Sequence, residues 1–265
     1  MSPPSDILEQ IVERRRQRLE EARARQTFTE LDRRPESQTV SNNAFLEGLS
    51  KKRGRAVIAE IKMGSPSLGS LEGTFDPLEL ARTYADNGAA ALSVVVEPDF
   101  FHGSYELLAV CHEASGLPAI AKDFVVDPLQ LRWAKRAGAS AILLMACLYT
   151  AKELYQYAQL ARQHRLVPLI EVHDLGDLEK LAGHRVWELV GVNNRNLRTF
   201  EVELSNSMAL LPSLPSSAMK VAESGIHTAA DMALLRGAGF DAYLIGEAFV
   251  TAEDPLAKLR ELCGE

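Results

Sequence analysis

The sequence is poor in cysteine, and its cysteines form none of the pairs used by disulfide frameworks or metal-binding motifs. Only three occur in 265 residues, at Cys111, Cys147 and Cys263, with no Cys-x-x-Cys spacing. The six histidines share no spacing typical of metal ligands either. We therefore expect no metal site, no disulfide framework and a reducing, cytoplasmic setting.

Long apolar runs and an excess of positive charge are also missing. No apolar run approaches the roughly 18 residues that a membrane span needs, and the first ten residues lack the basic-then-apolar order of a signal peptide. The 29 Lys and Arg residues are outnumbered by 36 Asp and Glu, giving a formal net charge of −7. A nucleic-acid groove requires clustered cations, so we expect no nucleic-acid or membrane partner, whereas a small anionic ligand stays possible.

The sequence does contain a regular alternation of short apolar runs and longer helical segments. Eight strands are predicted, at 56–62, 91–96, 118–124, 140–146, 167–172, 188–193, 219–223 and 242–246. Helices are predicted between and after them, at 77–87, 105–115, 128–137, 151–164, 175–182, 203–211, 229–237 and 255–262. Typical N-cap residues precede five of these helices: Asp76, Asp127, Thr150, Thr228 and Asp254. Eight βα units without length for a second domain predict an α/β protein, a single (β/α)8 TIM barrel over residues 51–265.

Residues 1–50 precede the first predicted strand and are expected to form an N-terminal helical extension that covers one end of the barrel. A helix is predicted at 5–25, because its apolar residues recur on one stripe. The arginine run at 14–16 has acidic residues on both sides. We therefore expect it on a solvated helix face rather than at a membrane or RNA.

Ionisable side chains stand where the predicted strands end, which is where barrel enzymes place their chemistry. Alternation puts Glu60 and Lys62 on one face of their strand, but leaves open whether Lys122 or Asp123 points into the barrel. Charges within apolar strands need a partner or a function. A mixed cluster of lysine and glutamate indicates acid–base catalysis.

Glycine-bearing turns follow the last two predicted strands, at Ser224-Gly225 and Gly246-Glu247. Backbone N–H groups in such turns can face an anion, and barrel phosphate sites commonly lie there. The segment 64–70 superficially resembles a nucleotide P-loop but lacks its lysine. We therefore expect a phosphate site and no nucleotide.

Taken in order, these motifs resemble the indole-3-glycerol phosphate synthase family over roughly residues 40–260. The matching segments are Ile58-Ala59-Glu60-Ile61-Lys62-Met63-Gly64-Ser65-Pro66-Ser67, Phe101-His102-Gly103-Ser104, Lys122-Asp123-Phe124, Ile170-Glu171-Val172-His173, Gly191-Val192-Asn193-Asn194-Arg195-Asn196-Leu197, Ala222-Glu223-Ser224-Gly225-Ile226 and Leu244-Ile245-Gly246-Glu247. The chain departs from the family at Met63 and Gly64, where a basic residue is usual. The resemblance implies ring closure, decarboxylation and dehydration of 1-(2-carboxyphenylamino)-1-deoxyribulose 5-phosphate in tryptophan biosynthesis, without a cofactor.

The resemblance also implies roles for individual residues. Lys122 matches the general acid, Glu171 the general base of the dehydration, and Lys62 the residue that binds the substrate carboxylate or serves as a second acid. A pKa lowered by burial or by neighbouring cations would suit a lysine acid. The remaining matches are Glu60, Asn193 and Glu223 in the catalytic set, Arg195, Ser224 and Phe124 for substrate binding, and Ser65, Gly225, Gly246 and Glu247 for the phosphate.

Two other functions stay open at this stage. A barrel of the phosphoribosylanthranilate isomerase type would need a Cys/Asp pair at the ends of strands 1 and 6, where this chain has Glu60, Lys62 and Asn193. A catalytically silent binding barrel would have no need of the intact set of Lys62, Lys122 and Glu171. The sequence is compatible with a monomer and with contacts to other tryptophan-pathway enzymes.

Overall fold

A closed barrel of parallel strands forms the centre of the computed structural model, which describes residues 6–25, 43–66, 68–184, 186–196 and 201–263. The barrel strands are β1 (Ala56–Ile61), β2 (Ala91–Val95), β3 (Ala119–Lys122), β4 (Ala141–Met145), β5 (Val167–Val172), β6 (Leu189–Asn193), β7 (Met219–Glu223) and β8 (Ala242–Ile245). Each strand pairs with its neighbours in chain order, and β8 closes onto β1. The predicted (β/α)8 barrel is confirmed. In the predicted N-terminal extension, residues 1–5 and 26–42 lie outside the described ranges. So do Ser67 and Leu197 of the matching motifs.

Helices connect the strands and surround the barrel. They are α1 (Ile7–Arg25), α2 (Ala44–Lys51), α3 (Pro77–Asp86), α4 (Tyr105–Ser115), α5 (Pro128–Arg136), α6 (Ala151–Gln163), α7 (Leu175–Glu179), α8 (Ser205–Leu210), α9 (Ala229–Ala238), α10 (Glu247–Val250) and α11 (Pro255–Cys263). The five predicted N-cap side chains each accept a hydrogen bond from a backbone N–H in the first turn of their helix. Within the described ranges, no helix combines the length and apolarity required to cross a bilayer.

Several predicted strands extend one or two residues too far. Lys62 and Phe124 lie in loops, and a short 3₁₀ turn, Ala146–Leu148, begins directly after β4. Burial continues past the last ladder hydrogen bond at these ends, so the apolar pattern overshoots the strand. The loop positions put these side chains at the mouth of the barrel.

Alternation along the strands fills the barrel interior with apolar side chains and leaves a polar layer at the carboxyl ends. The inner apolar set includes Ile58, Ile120, Leu143, Leu169, Leu189, Val221 and Leu244. Lys122 lies two residues after Ile120 and therefore on the same face of β3. Asp123 points outward to Arg15. This settles the question that the sequence left open, because Lys122 is the residue that enters the barrel.

The first two helices lie at opposite ends of the barrel, not at one end as expected. Ile7, Leu8 and Ile11 of α1 line the pocket at the carboxyl ends of the strands. In α2, Gly48 packs against the carbonyl of Ala90 and the ring of Pro118, which precede β2 and β3. The amino-terminal segment therefore contributes walls to the functional end.

The prediction of a solvated arginine run is wrong for its middle member. Arg15 is only 4% exposed, and its guanidinium donates to both oxygens of Asp123 at 3.0 and 2.6 Å. It shares a helix face with Ile11 and Leu19, which lie four residues to either side and are also buried. This buried ion pair attaches α1 to the loop after β3.

Candidate active site

The predicted site residues converge on one pocket at the carboxyl ends of the strands. The volume of the pocket, including the part of its mouth that is open to solvent, is about 1180 Å³. Of the thirteen residues named from sequence, twelve line it: Glu60, Lys62, Ser65, Lys122, Phe124, Glu171, Asn193, Arg195, Ser224, Gly225, Gly246 and Glu247. The thirteenth, Glu223, is fully buried beneath the pocket and contacts Lys122. The set therefore forms one constellation around the barrel axis.

Lys122 stands at the centre of three carboxylates from three different strands. Its Nζ lies 3.1 Å from Oε2 of Glu223, 3.7 Å from Oε2 of Glu171 and 3.9 Å from Oε2 of Glu60. Burial alone would lower the pKa of Lys122, but the three carboxylates outweigh burial and raise it above its ordinary value. The expectation of a lowered pKa is thus wrong, because the neighbours of this lysine are anions and not cations.

Glu171 and Glu223 both lie beside Lys122, and their environments differ. Burial raises the pKa of both carboxyl groups. At Glu171 this effect is outweighed by Lys122 and His173, so its pKa falls below the ordinary value. At Glu223 burial and the charge of Glu171 prevail over Lys122, so its pKa rises. The opposite shifts therefore favour the protonated form at Glu223 and the ionised form at Glu171.

Glu60 links the two lysines of the pocket. Its Oε1 lies 3.6 Å from Nζ of Lys62, and its Oε2 faces Lys122. A Cβ at Gly246 would come within 2.8 Å of Cβ of Glu60. The glycine after β8 thus lets the backbone pass directly beside Glu60.

Arg195 and Glu247 form an ion pair of 2.7 Å between the loops that follow β6 and β8. The side chain of Asn193 accepts a hydrogen bond from the backbone N–H of Arg195 at 2.9 Å, which fixes the start of that loop. Because the guanidinium neutralises Glu247, this carboxylate is less repulsive to an anionic ligand than a free one.

Two consecutive residues after β7 adopt left-handed backbone conformations, with φ of 66° at Ser224 and 75° at Gly225. The side-chain amide of Asn194 donates to the Ser224 carbonyl at 3.1 Å and supports this turn. A Cβ at Gly225 would meet Cγ1 of Val202 at 2.5 Å. Helix α10 begins at Glu247, directly after the neighbouring strand β8. The first N–H groups of a helix have no hydrogen-bond partner within that helix.

The opposite side of the pocket is apolar. Phe101 and Phe124 face each other with ring centroids 5.8 Å apart, next to Met145 and the apolar residues of α1. Strands β3 and β4 lie across the barrel from β7 and β8. One end of the pocket can therefore hold an aromatic ring while the other holds an anion.

The loop after β1 forms a small antiparallel hairpin, Gly64–Ser65 with Gly69–Ser70. Ser65 is buried, and its hydroxyl accepts from the N–H of Leu68 at 3.1 Å. A Cβ at Gly64 would come within 2.5 Å of the His102 ring. The glycine that departs from the family pattern therefore has a packing reason in this chain.

Sequence reasoning missed the group formed by His173, Asp177 and Cys147. Nε2 of His173 lies 3.3 Å from Oε1 of Glu171, and Nδ1 lies 3.5 Å from Oδ2 of Asp177. Burial lowers the pKa of His173, but its contacts with Asp177, Cys147 and Glu171 outweigh burial and raise the pKa to about 12. The sequence signal was the i, i+4 pairing of a histidine and an aspartate directly after Glu171.

These three side chains also bring potential metal-ligating atoms within 4.8 Å of one another, although their sequence spacing matches no metal motif. Nζ of Lys180, however, lies 3.0 Å from Oδ1 of Asp177 and adds a positive charge where a cation would bind. We therefore interpret the group as a set of ion pairs around His173 and Asp177.

The chain is similar in sequence to one family model and to several proteins that share the description of that model. The family model described as indole-3-glycerol phosphate synthase matches residues 8–262. The indole-3-glycerol phosphate synthase of Albidiferax ferrireducens is 39% identical over 260 residues, which cover 97% of this chain and 98% of that protein. The synthase of Polaromonas sp. strain JS666 is 40% identical, with coverage of 98% and 99%. That of Koribacter versatilis is 43% identical over 211 residues, 80% of this chain and 81% of its own.

A solved structure adds information on the fold alone. Thiamine phosphate pyrophosphorylase from Pyrococcus furiosus superposes with a TM-score of 0.57 over 80% of this chain and 95% of its own, at 15% identity. Such low identity carries no argument about the reaction.

Proposed function

Because this chain belongs to the indole-3-glycerol phosphate synthase family, we propose that Lys122 and Glu171 are the general acid and the general base of its reaction. The protein is a decarboxylating carbon–carbon lyase of tryptophan biosynthesis. It converts 1-(2-carboxyphenylamino)-1-deoxyribulose 5-phosphate to indole-3-glycerol phosphate, with loss of CO2 and water.

The reaction requires two proton donations and one proton abstraction. The ring carbon that bears the carboxylate attacks the ketone, whose oxygen takes up the first proton. The C–COO⁻ bond then breaks, and its electron pair restores the aromatic ring as CO2 leaves. Finally the new hydroxyl takes a second proton and departs as water, while a proton leaves the adjacent carbon to a base. A site for this reaction needs an ammonium donor and an ionised carboxylate close together.

Lys122 and Glu171 meet that requirement. The surrounding carboxyl groups raise the pKa of Lys122 and so favour its protonated form, which makes a proton available when the ketone oxygen becomes basic. Glu171 is held in its ionised form and lies 3.7 Å from Lys122. The contact between these two groups is the observation that carries the proposal.

Lys62 is proposed to bind the substrate carboxylate and to serve as the second donor. Its ammonium group lines the same pocket and lies 3.6 Å from Glu60. Glu60 and Glu223 position the lysines, while Asn193 fixes the loop that carries Arg195.

The two ends of the pocket fit the two ends of the substrate. We assign the phosphate to the turns at Ser224-Gly225 and Gly246-Glu247, with Ser65 from the loop after β1 and with Arg195 neutralising Glu247. The aromatic ring is assigned to the side of Phe124, under α1. With this orientation, we assign the reacting carbons to the part of the pocket that Lys122 and Glu171 face, near the barrel axis.

The test is an assay of the purified chain with this substrate, in buffer that contains EDTA and no nucleotide. We expect indole fluorescence to appear together with stoichiometric CO2, since we propose that the reaction uses no cofactor and takes place in the cytoplasm. A folded chain without turnover under these conditions would overturn the proposed roles. A catalytically silent barrel would give that result.

A further inference from the structure

The imidazole of His173 lies between two carboxylates and connects the pocket to α7. Its Nε2 lies 3.3 Å from Oε1 of Glu171, and its Nδ1 lies 3.5 Å from Oδ2 of Asp177. The His173 side chain is 13% exposed and the Glu171 side chain only 2%. Charges at such depth interact strongly because water screens them little.

Asp177 is itself fixed by several bonds. Its Oδ2 accepts the backbone N–H of His173 at 3.1 Å, and its Oδ1 accepts from Nζ of Lys180 at 3.0 Å. Lys180 donates in addition to the carbonyl of Ala146 at 2.8 Å. A contiguous chain of contacts therefore runs from the end of β4 through Lys180 and Asp177 to His173 and the pocket.

The two oxygens of Glu171 face different cations. Oε1 faces His173, and Oε2 faces Lys122 at 3.7 Å. If His173 holds Oε1, the rotation of the carboxylate is fixed, and Oε2 is the oxygen presented towards the pocket. A base must present a lone pair in a defined direction, because proton transfer needs hydrogen-bond geometry.

We propose that His173, supported by Asp177, is a positioning residue that orients the Glu171 carboxylate and keeps it ionised for proton abstraction. This inference rests on the proposed role of Glu171 as the general base. It extends the site to a histidine and an aspartate beyond the acid–base set assigned above. His173 need not touch the substrate to act in this way.

The pH dependence follows from the charges that surround the pair. The ionisable groups facing His173 are Glu171 from β5, Asp177 from α7 and Cys147 from the 3₁₀ turn. Those facing Glu171 are Lys122, His173 and Glu223. Removing the cation at His173 takes away one of the groups that lower the pKa of Glu171 and leaves Lys122 and Glu223 to offset burial, so the pKa of Glu171 must rise. The decline of kcat at low pH (the acid limb), which reflects protonation of Glu171, then moves to higher pH.

The experiment compares His173→Gln and Asp177→Asn with the wild type, in kcat and KM profiles between about pH 5 and 9. For His173→Gln we expect kcat at pH 7 to fall roughly 10- to 100-fold, KM to change less than about threefold, and an acid limb to enter the measured range. Asp177→Asn should shift the limb in the same direction by less. The double variant should be no slower than His173→Gln, because both act through Glu171.

His112→Gln is the matched control, since His112 is a partly buried histidine that contacts the carbonyl of Leu117 and does not line the pocket. It should leave the acid limb in place. An unchanged limb and kcat in His173→Gln would overturn the inference, as would a loss of kcat that only accompanies lower thermal stability. If His173→Gln does not fold, the limb of Asp177→Asn decides in the same way.

Glu171→Gln separates this inference from the one on which it rests. If that variant keeps turnover, the base is misassigned and the role of His173 falls with it. If it loses turnover while His173→Gln behaves like the wild type, only the positioning role is wrong.

Discussion

Nζ of Lys122 lies 3.1 Å from Oε2 of Glu223, closer than to either of the other two carboxylates that surround it. The lysine is thereby held against β7, on the side of the barrel where the turns proposed to bind phosphate begin. The two buried carboxylates therefore have different contacts. Glu223 holds the lysine, whereas Glu171 has a second oxygen that contacts His173. Two acidic side chains in one pocket can therefore differ in charge.

The difference between Glu171 and Glu223 predicts unequal effects of the same substitution. Glutamine resembles a protonated carboxyl group, so Glu223→Gln alters the charge near pH 7 less than Glu171→Gln does. We expect kcat to fall at least about a hundredfold in Glu171→Gln, and clearly less in Glu223→Gln. Steady-state indole fluorescence of both variants provides the measurement. Equal losses would mean that the proton is not held mainly by Glu223.

The buried pair of Arg15 and Asp123 predicts a large stability effect. Asp123→Asn leaves the guanidinium buried without its counter-charge, which typically costs about 3–5 kcal/mol. The free energy of unfolding should fall by that order in a urea titration. Glu188→Gln is the control, because Glu188 is 49% exposed in its pair with Arg162, and exposed pairs contribute up to about 1 kcal/mol. Similar losses in both variants would contradict the role of the buried pair in holding α1.

The turn after β7 predicts a selective loss of phosphate affinity. Gly225→Ala would force an alanine to a φ of 75° and bring its Cβ within 2.5 Å of Val202. We expect KM and the Kd of inorganic phosphate to rise roughly tenfold, since a single good anion contact is worth about 1.5–3 kcal/mol. Gly183→Ala is the control, with a φ of 83° in open space away from the pocket. It shares the backbone strain without the clash, so an equal rise in Kd would argue against this turn as the phosphate site.

The barrel could be predicted from sequence because its signals are local and repeated. Each strand is a short buried run, and residues such as Asp127 and Thr228 cap helices through their own neighbours. The orientation of β3 could not be predicted, since Ile120, Ala121 and Lys122 fit either phase of alternation until the strand is placed in the barrel. The predicted strands are also too long at their carboxyl ends, because burial continues past the last ladder hydrogen bond at the mouth of the barrel.

Most of the features that the sequence analysis missed depend on contacts between distant segments. Arg15 reads as part of a charged, solvated run, and only Asp123, 108 residues away, explains its burial. Lys122 likewise acquires a raised pKa from carboxylates on β1, β5 and β7. His173 is the exception, because its partners Glu171 and Asp177 both lie within four residues of it in the sequence.

Lys122→Ala tests the central claim most directly, and Lys152→Ala, at an exposed position on α6, is its matched control. Both variants are assayed for indole formation and for binding of inorganic phosphate in the same buffer. We predict that Lys122→Ala loses nearly all turnover, by about two to four orders of magnitude, and keeps its affinity for phosphate, because the proposed acid and the proposed phosphate turns lie on different loops. Lys152→Ala should match the wild type in both. Turnover retained in Lys122→Ala, or lost there together with phosphate binding, would contradict the account.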